Sequence, residues 1–431
     1  MARFSLKRVG RAKRKAIPAL VAGSLVLAGC VGSGSLTPPR NIGRASTPAA
    51  PPPEPAYAQD DARPTMEAQP LPEPAPTRSG GGTIGNGPVR VALILPLTGP
   101  GQGAIAAESM RNAADLALSE AQGKELTILV KDDRGTPDGA REAASQALAE
   151  GAELIIGPLF AGSVQAAGQV ARQAGKPVIA FSTDAGAATQ GVYLLSFLVQ
   201  AEVERIVSYA AQQGRRSMAA LIPETTYGRV AEATLQQAAA RRGVRIVAVE
   251  RYPVGRPQEA VQRLSRVIAG PAPQADALLM PENGDGLPVL AQALQVAGLN
   301  AEQVKPLGTG VWNEARVFGL PALQGGWFAA PDNRGFEAFA GRYRARFNAD
   351  PIRLATLSYD AVTLAVALSR VQPGQAFSDG VLTSPAGFAG ADGVFRFKPD
   401  GTNDRSLAIQ EIRDGAAVTV SAAPRTLVAG N

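Results

Sequence analysis

The sequence runs to 431 residues, enough for a sizeable core and two or three compact units. It has no histidine and a single cysteine, Cys30, which excludes imidazole triads, histidine-bearing zinc sites and intramolecular disulfides, so no cofactor or metal is expected. Residues 1–29 hold seven of the 43 basic residues and none of the 37 acidic ones; the remaining 36 against 37 leave no footprint for nucleic acid.

In chain order, the basic group Arg3, Lys7, Arg8, Arg11, Lys13, Arg14 and Lys15 precedes an apolar run from Ile17 to Leu27. Such a run is shorter than the roughly 17–25 residues needed to cross a bilayer and reads as a secretory signal. Leu27-Ala28-Gly29-Cys30 resembles the lipobox of bacterial lipoproteins. The resemblance implies that residues 1–29 are removed, that Cys30 is lipidated, and that the protein sits in the periplasm on a membrane. Val31, in place of an aspartate retention signal, points to the outer membrane. Residues 30–88 then form the lipidated cysteine and a tether, with 13 of the 34 prolines between Val31 and Pro88. This composition cannot bury enough apolar surface to offset ordering, so a disordered tether is expected, spanning on the order of 180 Å when extended.

From Val89 the pattern alternates. Strands are expected at Val89–Leu97, Leu126–Val130, Leu154–Gly157 and Val178–Phe181, with helices at Ala104–Ala121, Asp138–Ala149 and Val164–Ala174. The rhythm resumes with strands at Met218–Ile222, Arg245–Val249, Ala277–Met280 and Pro306–Gly308, separated by helices at Tyr227–Arg242, Gln258–Ile268 and Leu287–Ala297. Helical spacing returns at Phe336–Phe347 and Leu354–Val371, and Gly393–Phe397 with Ser406–Ile412 reads as a hairpin around Asp400-Gly401. Short strands alternating with helices in two series predict an α/β protein with two Rossmann-like lobes.

Several landmarks resemble the leucine-binding, type I periplasmic solute-binding protein family over about Val89 to Val420. They are Pro96-Leu97-Thr98-Gly99-Pro100, Asp132-Asp133, Ile156-Gly157-Pro158, Tyr227-Gly228 and Gly393…Phe397…Asp400-Gly401. The resemblance implies the periplasmic binding protein type I fold, two lobes joined by three crossovers, placed by analogy near Gln200, Pro331 and Arg396. Lobe 1 would then comprise residues 89–199 and 332–395, and lobe 2 residues 200–331 and 396–431. A ligand would lie in the crevice at the carboxyl ends of the strands. Candidate cleft residues are Thr98, Ser163, Ser182, Thr183, Tyr227, Asn283 and Thr309.

Against that family this sequence departs at several loops. Phe160-Ala161-Gly162-Ser163 replaces a run of hydroxyls, and Gly186 stands where a threonine is expected. Pro281–Gly286 and Gly308–Trp312 supply no aromatic and acid at matching positions. The segments Gly308–Trp312, Gly325–Pro331 and Pro351–Ala361 further resemble lipoproteins grouped as penicillin-binding protein activators. This narrower likeness implies a non-enzymatic activator that touches a peptidoglycan synthase; the alternative is the solute-capturing subunit of an ABC importer. Two other patterns take plainer readings. Gly99–Ala104 approximates a dinucleotide loop but is read as a tight strand-to-helix turn, and Asp132, Asp133 and Asp138 are read as capping acids rather than metal ligands. Trp312 and Trp327 are read as core residues, with surface anchoring as the rival role.

Overall fold

A computed structural model describes residues 81–122, 124–370 and 375–427. The expectations for the signal segment, Cys30 and most of the tether lie outside the described residues; the tether's end, expected to be disordered through residue 88, instead forms strand Gly81–Ile84, paired with Ile128–Lys131. No helix among the described residues is long and apolar enough to cross a membrane.

Why the first sheet forms is visible in Val89–Leu95. Val91, Leu93 and Leu95 pack on one face, with Met110 and Ala114 of helix Gln102–Glu120 and Leu357 and Ala361 of helix Ala355–Ser369. Ala92 and Ile94 point to the other, against Ala140 and Ala144 of helix Pro137–Ala149 and Val164 and Ala167 of helix Ala161–Gln173. A strand covered on both faces is apolar throughout, which produces the unbroken run. Burying each Leu or Ile contributes about 1.5–3 kcal/mol.

The sheet order is Gly81–Ile84, Leu126–Asp132, Val89–Leu95, Leu154–Ile156, Val178–Ala180, Val192–Leu194. Only Gly81–Ile84 runs antiparallel. The second sheet repeats the parallel order with Arg245–Tyr252, Ser217–Pro223, Ala277–Leu279, Lys305–Gly308 and Trp327–Ala330, extended by antiparallel Ala408–Arg413 and Ala416–Ser421. Each sheet with its flanking helices is a lobe, and together they form the type I periplasmic binding protein fold.

Two glycine landmarks have steric causes. At Gly157 (φ 92°) a Cβ would lie 2.1 Å from the Ile94 carbonyl oxygen, so the chain can turn against the neighbouring strand only without a side chain. At Gly228 a Cβ would sit 2.1 Å from the Pro223 carbonyl oxygen, where helix Thr226–Arg242 closes onto its strand.

Three differences from the sequence expectations matter. Residues 182–217, left without elements, contain strand Val192–Leu194 and helix Val199–Gln212. That helix buries Val199, Val203, Ile206, Val207 and Ala210 in the second lobe. The partner of Gly393–Phe397 is Asn403–Arg405, not Ser406–Ile412. The third passage between lobes therefore follows Arg405 and not Arg396. Phe395 and Phe397 are buried in the first lobe's core, Phe397 lies 5.4 Å from the Tyr193 ring, and Leu194 N–H donates to the Gly401 carbonyl at 2.7 Å. These contacts hold the hairpin on the first lobe, whereas Leu407 and Ile409 lie in the second core.

Candidate functional site

The chain leaves the first sheet at the carboxyl end of Val192–Leu194 and leaves the second at the carboxyl end of Trp327–Ala330. Both sheets thus send the chain between the lobes from their carboxyl edges, where loops and helix N-termini gather.

On the first lobe's edge, Thr98 follows Val89–Leu95 and is held by Asp132 at the end of the adjacent strand. Its hydroxyl donates to Oδ2 and its N–H to Oδ1 at 3.3 Å, while Oδ1 also takes the Arg134 N–H at 2.9 Å. Asp133 is buried and takes the Gly135 N–H at 2.9 Å; burial raises its carboxyl above the usual range. Ser163, buried near the start of helix Ala161–Gln173, lies beside that carboxylate, and its hydroxyl holds no full hydrogen bond among the described residues. Asp138 pairs with Arg141 at 2.5 Å. The acids that invited a metal reading are turn and ion-pair residues, and no metal-competent cluster of acids exists among the described residues.

Ser182 and Thr183 follow strand Val178–Ala180. Ser182 is buried and accepts the Asp184 N–H at 3.1 Å, while Thr183 is exposed on the rim. The glycine-rich loop Gly99–Gly103 has a packing cause. The Phe160 ring would contact a Cβ at Gly103 at 3.1 Å and one at Gly135 at 3.3 Å, so the glycines seat an aromatic ring. Phe160 itself stays 43% exposed, and nearby on the same lobe Ile105, in the first turns of helix Gln102–Glu120, is 54% exposed.

On the second lobe's edge, three side chains from distant segments meet. Thr225 caps helix Thr226–Arg242 by accepting the Gly228 N–H at 2.9 Å, which fixes Tyr227 in the first turn. The Tyr227 hydroxyl lies 2.8 Å from Thr309 Oγ1 and 3.3 Å from Glu202 Oε2. A phenol has one proton. It goes to the carboxylate, and the Thr309 hydroxyl donates to the phenol oxygen. Gly310 N–H adds a second donor to Glu202 Oε2 at 3.1 Å. At Gly310 a Cβ would approach Glu202 Oε1 to 2.5 Å, so glycine there gives the carboxylate its place.

Glu202 is 4% exposed, and burial pushes its carboxyl up to about 7 against the pull of the Gly310 and Tyr227 donors. Burial, and then the neighbouring Glu202, push Tyr227 well above its ordinary value, so the phenol stays a donor. The acid, the aromatic hydroxyl and the threonine form a hydrogen-bonded set in which Glu202 and Thr309 are buried and only Tyr227 is partly exposed.

Of the candidate residues, the structure brings Tyr227 and Thr309 together and places Thr98 and Ser163 near the paired acids. Asn283 is spent locally: its Oδ1 takes the Asp285 and Gly286 N–H groups at 3.1 and 3.0 Å ahead of helix Leu287–Val296. Glu202 was missed. Its signal, an acid within the apolar spacing Val199, Val203, Ile206, lies in residues 182–217, to which no element is assigned from the sequence. Both tryptophans are core residues: Trp312 Nε1–H donates to the Met280 carbonyl at 3.2 Å, and Trp327 stacks edge-on to Tyr209 and donates to Glu411 at 2.9 Å.

The comparisons agree with this architecture. A periplasmic binding protein family model matches residues 88–417. A Rhodospirillum rubrum protein assigned as a branched-chain amino acid ABC transporter is 20% identical, with TM-score 0.67, covering 77% of this chain and 99% of its own. A solute-binding protein of an ABC transporter from Rhodopseudomonas palustris, in complex with 3,4-dihydroxybenzoic acid, is 21% identical, with TM-score 0.57 and coverages of 78% and 96%. A branched-chain amino acid transporter substrate-binding protein from Streptococcus pneumoniae, in complex with isoleucine, is 17% identical, with TM-score 0.56 and coverages of 78% and 99%. Among curated proteins none matches significantly. With the family model spanning the two lobes, the chain belongs to the periplasmic binding protein family.

Proposed function

We propose that the protein captures a small polar solute between its lobes and serves an ABC-type importer, binding without turnover. The observation that carries this is the Glu202–Tyr227–Thr309 set. It supplies from the first passage and two second-lobe loops the acid and aromatic that Pro281–Gly286 and Gly308–Trp312 lack as a local pair. On the first lobe, Thr183 offers an exposed hydroxyl for the other end of a ligand, beside the buried Ser182. The activator reading rested on the likeness of Gly308–Trp312, Gly325–Pro331 and Pro351–Ala361, with the lipobox, the tether and the departures at the cleft loops beside it. Trp312 and Trp327 are buried in the second lobe's core, so neither ring is a surface anchor for a peptidoglycan synthase. Lipidation at Cys30 and a membrane-held periplasmic location remain part of the proposal, on the lipobox alone.

The test is a thermal-shift screen of amino acids, amines and aromatic acids against the full chain. A ligand at a hundred times its Kd adds about 2.7 kcal/mol of stability. A flat screen, with a penicillin-binding protein co-purifying from membranes, would return the activator reading to first place.

A further inference from the structure

Helices Val199–Gln212 and Thr226–Arg242 cover one face of the second lobe's sheet, and Gln258–Ile268 and Leu287–Val296 cover the other. The last two helices share a core through Val261, Leu264, Leu290 and Leu294. On their solvent side runs a groove of about 560 Å³, walled by Val261, Ser265, Val289, Gln292, Ala293 and Val296. No charged residue and no residue of the first lobe lines it.

A helix with one face in a core ordinarily carries charges on the other. Leu287–Val296 does not. No charged residue occurs between Asp285 and Glu302, and among the described helices of ten or more residues this one alone has no Asp, Glu, Lys or Arg. Its outward positions Val289, Gln292 and Val296 fall at the i, i+3, i+7 spacing of a single ridge. Val296 is 85% exposed and Val289 37%, and Val254, in the turn leading into Gln258–Ile268, is 65% exposed.

An uncharged groove disfavours any occupant that would carry a charge out of water into it. The surface that matches it in charge and in length is the neighbouring ridge itself. Groove and ridge border each other on one face. A two-fold axis running along the helices therefore seats each copy's ridge in the other's groove at once, an isologous contact. Glutamine amides both donate and accept, so Gln292 can bond across such a seam without bringing charge.

We propose that the chain pairs with a second copy of itself through the second lobe, helix Leu287–Val296 of each protomer lying in the groove of the other. The axis brings the two Val296 side chains together. Helices of 11 and 10 residues are about 15 Å long, so the contact is smaller than the roughly 800 Å² per partner of a standard interface. The dimer is accordingly weak.

Sedimentation equilibrium of the full chain, from about 1 to 300 µM, reads the association. The mean mass is expected to climb from one protomer toward two, with a dissociation constant on the order of 10–100 µM. Val296→Glu and Val296→Lys, at a site too exposed to unsettle the fold, should each raise that constant tenfold or more and leave the melting midpoint unchanged. Mixed in equal amounts, the two variants should associate again, because the axis sets one charge against the other. A single protomer at every concentration overturns the proposal, and the groove then belongs to an apolar segment of another protein. A dimer that both variants leave intact forms elsewhere and overturns it too, as does a mixture no more associated than its components.

Discussion

Glu202 holds its carboxyl out of water with two donors, and the cost is written in its pKa of about 7. The folded state keeps a proton that the unfolded chain, titrating near 4.5, gives up earlier. Stability from this group is therefore full below pH 4.5, falls as pH rises to about 7, and is level above; the span is on the order of 3 kcal/mol. Asp360, raised from 3.8 to about 7 by burial, acts with the same sign. Glu202→Gln should flatten part of the decline between pH 4.5 and 7 in urea titrations and leave the part due to Asp360. An unchanged slope would mean that Glu202 does not titrate there. Tyr227→Phe removes the phenol proton and should cost about 1–3 kcal/mol in stability, because Glu202 Oε2 keeps only the Gly310 N–H and Thr309 loses its partner.

At the scale of elements, the hairpin Gly393–Arg405 shows how a short segment is assigned to a lobe. Phe395 and Phe397 are buried among Phe388, Tyr193 and the first core. Phe397→Ala should cost about 3–5 kcal/mol in equilibrium unfolding. A loss below 1 kcal/mol would show that the hairpin does not anchor on the first lobe. Thr225→Ala removes the cap of helix Thr226–Arg242 and should cost about 1 kcal/mol. Elements with strong periodicity were legible. Gln258–Ile268 appears with the bounds its spacing gave, because one apolar stripe of Val261, Leu264 and Ile268 faces the core. Val199–Gln212 was not, since it follows a three-residue strand without a glycine or proline break to mark it. The hairpin's return strand was misplaced for a related reason. Its residues Asn403, Asp404 and Arg405 are all polar and show no apolar alternation, and only the contacts of Phe397 and Leu407 reveal that neighbouring segments belong to different lobes.

For the whole molecule, the two-lobed frame was readable because each lobe repeats one strand–helix rhythm and glycine landmarks mark its tight approaches. The candidate site was readable only in part. Tyr227 and Thr309 stand on motifs, but Glu202 reaches them from 25 and 107 residues away through the packing of a helix, and spacing carries no trace of that meeting. The same holds for Arg405 and Arg353, which meet around Phe197 across three separate segments. The central claim is that this crevice holds a small solute through Glu202, Tyr227 and Thr309. Calorimetric titration of the full chain with the best ligand from the screen tests it most directly. Saturable binding at one site, weakened tenfold or more by Tyr227→Phe and by Glu202→Gln, is the predicted result. Binding of equal strength in all three proteins would contradict it.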